Sequence, residues 1–150
     1  MTTPDMLERL STLAAQRTAR TETVVDLVHA LLARLEKVCE EGDWCEIAGH
    51  TLTLVRLRSN VGTETFWLYE SDDDTCYLDT SLDYAGYLHG DFQTKVCGPS
   101  RAQILSFASR ASGYVSRLVE LRADDVGKLD KAIAEVKAAV GAFGEGTVTP

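Results

Sequence analysis

Residues 59–94 gather the side chains best suited to recognition or reaction. Between Ser59 and Thr94 there is no lysine or arginine, but there are eight acids: Glu64, Glu70, Asp72, Asp73, Asp74, Asp79, Asp83 and Asp91. Seven of the chain's 11 aromatic residues are interleaved with them: Phe66, Trp67, Tyr69, Tyr77, Tyr84, Tyr87 and Phe92. This stretch accounts for the whole formal charge of −8, because acids and bases cancel elsewhere. A field of one sign suits a basic partner, which it steers in before a ring anchors the contact. Uncompensated carboxylates also repel one another, a cost that counts against an idle surface. Solvated hairpin turns are themselves rich in Asp, which by itself accounts for Asp72-Asp73-Asp74. The candidate partner-binding set is the eight acids together with Trp67, Tyr69, Tyr84 and Tyr87.

A second chemistry centres on Cys97. It precedes Gly98-Pro99-Ser100 at an expected helix start, where backbone N–H groups favour a thiolate. His89 and Asp91 are near in sequence and complete a Cys, His and Asp set, the alternative reading of a thiol-dependent enzyme or redox protein. The plainer reading of Cys97 is a small apolar residue at a strand end. No nucleophile elbow, phosphate loop, dinucleotide fingerprint or HExxH motif occurs.

Metal chemistry finds no pattern. Asp72-Asp73-Asp74 lacks the alternating ligands and later Glu of a calcium loop. Cys39, Cys45, Cys76 and Cys97 contain no CxxC pair, so zinc spacing is missing, and no cofactor is implied. The charge of −8 disfavours direct nucleic-acid binding and docking on anionic membranes. No apolar run is long enough to span a bilayer, and residues 1–5 do not read as a secretory signal. The expected location is the cytoplasm, with the thiols reduced.

The elements that must position these groups read as α+β. Residues 4–40 form a long N-terminal helix, with Thr3 as cap, Pro4 in the first turn and Gly42 past the end. Leu7, Leu10, Ala14, Arg17, Thr21, Val24, Val28, Leu31, Leu35 and Val38 make a heptad seam along it. A second row, Val25, Leu32 and Cys39, widens the later half, which should pack on its own domain. The narrower early half, Leu7 to Val24, is the candidate oligomerisation seam of a homodimer.

Residues 44–97 read as an antiparallel β-meander of three to five strands, with clear runs at 44–48, 51–58, 64–70 and 75–79. A short helix over 81–88 and a fifth strand over 92–97 complete that region. Thr65, Trp67 and Tyr69 share one face of the third run, and Phe66 and Leu68 share the other. Both faces are bulky, so helix should cover one and a partner or loop the other. Arg56 and Arg58 lie beside the acidic window and are placed to pair with its carboxylates.

Residues 99–143 return to helical period, opening on a Ser100–Gln103 capping box. They form two C-terminal helices, or one long helix interrupted near Ala123-Asp124-Asp125, before a frayed tail at 144–150. The sequence thus points to a single α+β domain over 1–143. Its expected function is non-catalytic binding of a basic macromolecular partner. The sharpest form of that reading is a viral or mobile-element inhibitor that mimics nucleic acid.

Overall fold

The computed structural model of the chain describes residues 2–60, 62–79 and 99–143. Its contacts divide it into two units, Met1–Tyr114 and Val115–Pro150. It is α+β: a long N-terminal helix, a four-stranded antiparallel sheet and two C-terminal helices.

Helix α1 spans Thr3–Val38. Its cap is Thr2, one residue before the expected Thr3, because Asp5 at the third helical position completes a capping box with it. The two halves of α1 differ as the seam width implies. Residues 2–20 are exposed throughout, whereas Val28, Leu32 and Leu35 are buried. Cys39 N–H donates to Leu35 O to close the helix. Gly42, at φ +89°, then turns the chain so that its N–H reaches Leu54 O at 2.9 Å.

Strands β1 (Trp44–Ile47), β2 (His50–Ser59), β3 (Gly62–Glu70) and β4 (Thr75–Asp79) follow, paired in sequence order β1-β2-β3-β4. Register sets Cys45 opposite Leu52, Leu52 opposite Tyr69, Leu54 opposite Trp67, and Trp67 opposite Leu78. Because side chains alternate across a strand, these residues share one face, and all are buried. This core face also receives Phe107 from α2 (Arg101–Ala108), where Ile104 is buried too, and Tyr114 from the first turn of α3 (Ala111–Gly141). Tyr69, Phe107 and Tyr114 form an aromatic cluster with centroids 5.6–6.1 Å apart. Packing is close there: a Cβ on Gly113 would stand 2.9 Å from Ile47 Cδ1.

The β1–β2 turn is tighter than its composition implies. Ala48 (φ +51°) and Gly49 (φ +79°) both have positive φ, as a type I′ hairpin requires. Alanine pays about 1–2 kcal/mol there. Ala48 is exposed, so Ala48→Asn should raise the urea midpoint by an amount equal to about 1 kcal/mol. A midpoint that fails to rise would show that the methyl group has a packing role.

The C-terminal region is two helices, one of the two expected arrangements, with their junction away from Asp124. The helical break lies at Ser109–Arg110, between α2 and α3, and α3 runs unbroken through Ala123-Asp124-Asp125. Asp124 sits inside the helix and pairs with Lys128 at 3.1 Å. The expected short helix at 81–88, fifth strand at 92–97 and tail at 144–150 lie outside the described residues.

Candidate partner-binding surface

The sheet has a second face, and its composition follows from the same register. Glu46 pairs with Thr51, Thr51 with Glu70, Leu57 with Glu64, and Trp44 with Thr53. Across the middle, Thr53 faces Leu68 and Leu68 faces Tyr77. The outer face therefore carries Trp44, Leu68 and Tyr77 in one row, with Glu46 and Glu70 in the next and Glu64 further along, while Phe66 on the same face is buried and packs edge-on against Tyr77. Among the described residues, no lysine or arginine occupies an outer-face position of the sheet. Arg56 and Arg58 pair with Thr65 and Thr63, in the parity of Leu52 and Leu54. They therefore lie on the face opposite Glu64 and Glu70, and the expected pairing with those acids is not made through the sheet.

At one end of this face a two-residue turn joins β3 to β4. Ser71 N–H donates to Asp74 O at 2.7 Å, leaving Asp72 and Asp73 exposed at the tip. Asp74 is held back against α2, where Gln103 Nε2 donates to its Oδ1 at 2.8 Å. Gln103 also accepts from Ser100 N–H through Oε1, completing the α2 capping box. Asp74 is thus part of a structural junction as well as of the acidic set.

The aromatic members separate sharply. Trp67 is fully buried and Tyr69 is 3% exposed, both on the core face, so neither ring is presented at the surface. The Tyr69 hydroxyl is bound to Ser106 Oγ at 2.7 Å, and Arg110 donates to the same oxygen at 2.8 Å. The exposed indole is Trp44, at 56%, on the edge strand β1. Sequence reading passed over it because it lies outside the base-free window. Its signal was its alternation with Cys45, which the buried register fixes. Asp79 ends β4 opposite Phe66. Asp83, Tyr84, Tyr87 and Asp91 lie outside the described residues, as do Cys97 and His89 of the alternative thiol set.

A cavity of about 120 Å³ adjoins the acidic turn, lined in part by His50, Tyr69, Glu70, Asp74, Gln103 and Ser106. His50 stacks on Tyr69 at 5.4 Å, and its backbone oxygen accepts from the Tyr114 hydroxyl at 2.9 Å. These contacts brace the hairpin against the helices. Among the described residues no three His, Cys, Asp or Glu side chains converge as metal ligands, and no described helix is long and apolar enough to cross a membrane.

Cys39, Cys45 and Cys76 are buried. Burial, and secondarily the Asp74 carboxylate, pushes the Cys76 thiol from 9.0 up to about 12. Burial foremost, with the neighbouring Tyr69, also raises Tyr114 well above the usual phenol range. Both groups hold their protons more tightly folded than unfolded. Their contribution to stability is therefore complete below the unfolded values and is lost as pH climbs through them. The melting temperature should fall between about pH 9 and pH 12, and Cys76→Ala should flatten that decline. A midpoint that stays level to pH 11 would contradict the burial of both groups.

Protein-family models, curated proteins and solved structures were compared with this chain, and none of them matches it.

Proposed function

We propose that the chain is a non-catalytic binding protein whose outer sheet face receives a basic macromolecular partner. The observation that carries the reading is one sheet face on which Glu46 and Glu70 occupy the row next to the exposed Trp44, with Glu64 further along and the Asp72-Asp73 tip beyond Glu70, and no base on that face among the described residues. The carboxylates raise the encounter rate and select the sign of the partner. Trp44 supplies the large, stiff apolar contact around which interface energy concentrates. A reducing cytoplasmic setting suits the buried thiols. Self-association belongs to the same proposal, and exposed apolar side chains occur both on α1, at Leu7 and Leu10, and on the later turns of α3.

The test is retention of cellular proteins on the immobilised chain at low and high ionic strength, beside a Glu46→Gln, Glu64→Gln, Asp72→Asn, Asp73→Asn variant. Basic proteins should be retained at low salt, released as salt rises and missed by the variant. If those retained handle nucleic acid and are released by added DNA, which competes with the chain for them, the mimicry form of the proposal holds. Retention indifferent to salt and to the four substitutions would refute the acidic surface as the binding site.

A further inference from the structure

The exposed apolar side chains of the unit beyond Tyr114 fall into one pattern. Val119, Val126, Ile133 and Val140 recur every seven residues, and Leu129, Val136 and Phe143 do so three places further on. All seven are between 42% and 72% exposed. They are the a and d positions of a heptad register held for more than three heptads, a strip about 36 Å long at helical rise. Apart from Arg122, no charged residue occupies an a or d position, and Asp125, Asp130 and Lys137 flank them at e and g. Arg117 pairs with Glu120 at 2.9 Å and Lys128 with Asp124 at 3.1 Å, all at the outward b, c and f positions. Two positions in seven is narrower than the face a helix buries on its own domain, and is the width of a coiled-coil seam.

We propose that α3, from Val119 to its C-terminal end, pairs with the same helix of a second copy of this chain as a two-stranded coiled coil. β-branched residues at every a position with Leu129 at a central d position are the composition that selects two strands. Ala123, Ala132 and Ala139 at the flanking e and g positions let the backbones approach. A second copy is the occupant because an isologous contact lets one strip serve both sides. An exposed apolar strip of this length also exceeds what a monomer ordinarily leaves in water. Arg122 is the one charged residue in the seam, at a d position, and it weakens the pairing while fixing its register. This assignment moves the pairing surface from α1 to α3, and it stands independently of the acidic surface.

Sedimentation equilibrium on the full chain over the micromolar range tests it. The wild type should show a concentration-dependent dimer. Leu129→Glu with Ile133→Glu puts acids into adjacent layers and should raise the dissociation constant about 100-fold or more. Arg122→Leu completes the seam and should lower it about 10-fold. Leu7→Glu with Leu10→Glu, confined to α1, should leave it unchanged. Since every altered residue is exposed, emission from the buried Trp67 should be the same in all variants and report an intact core. A monomer at all concentrations, a trimer, or a dimer that survives the α3 substitutions and yields to those in α1 would overturn the proposal.

Discussion

Replacing Trp67 with alanine should cost about 3–5 kcal/mol of folding stability, a large share of the roughly 5–15 kcal/mol that holds an ordinary domain together. The indole is 0% exposed and sits between Leu54 and Leu78 on the strands to either side. Its removal leaves a void that the flanking strands cannot fill without breaking their own ladders. Trp67→Phe gives the sharper comparison. Trp67 Nε1 is buried with no hydrogen-bond partner among the described residues. An orphaned donor of this kind costs about 1–3 kcal/mol, and phenylalanine removes it while keeping most of the ring. The Phe variant should therefore retain well over half of what the Ala variant loses. Urea unfolding of the three proteins decides the matter. A loss below about 1 kcal/mol for Trp67→Ala would place that side chain outside the core.

The other tryptophan should behave in the opposite way. Trp44→Ala removes an indole that is 56% exposed on an edge strand, and its effect on stability should stay within about 1 kcal/mol. Its effect on binding should be large, about 2 kcal/mol or more, which is roughly 30-fold in affinity for the basic partner. The local field can be read without that partner. Trp67 is sealed from solvent, so quenchable emission comes from Trp44. Caesium should quench it more efficiently than iodide at low ionic strength, because Glu46 and its neighbours attract the cation and repel the anion. The difference should collapse toward 1 M salt, where the screening length falls to about 3 Å. Equal quenching by both ions at low salt would remove the negative potential, and the proposed function with it.

The contrast between the two indoles shows what the sequence could and could not disclose. Alternation assigned Trp67 and Phe66 to opposite faces correctly, since period two is a property of the strand alone. It could not say which face was the core, because bulky residues occupy both. The core face is the one that meets Phe107 and Tyr114, which arrive from helices more than 30 residues later and pack on Tyr69. The same ignorance put Arg56 and Arg58 beside Glu64 and Glu70, whereas one step of parity separates them. Local chemistry was read more securely. The Ser100–Gln103 box is where its spacing placed it, and the two halves of α1 are exposed and buried as their apolar widths implied. Whether Asp124-Asp125 breaks the helix was open in the sequence, and the helix runs through them. Acids interrupt an apolar stripe without interrupting a helix, and here Asp124 falls on the side away from the Val126–Ile133 seam, where it pairs with Lys128.

The pairing of each strand with its neighbour in sequence has a consequence for how the molecule is made. No strand waits for a distant segment, so closure entropy is small and hairpins assemble within microseconds once both arms exist. Synthesis proceeds at about 5–20 residues per second, so roughly 2–7 seconds separate the emergence of Asp79 from that of Tyr114. Throughout that interval the nascent meander exists without Phe107 and Tyr114, the rings that later pack against Tyr69. The half-made chain on the ribosome is therefore the form most exposed to aggregation and the one with most to gain from a chaperone.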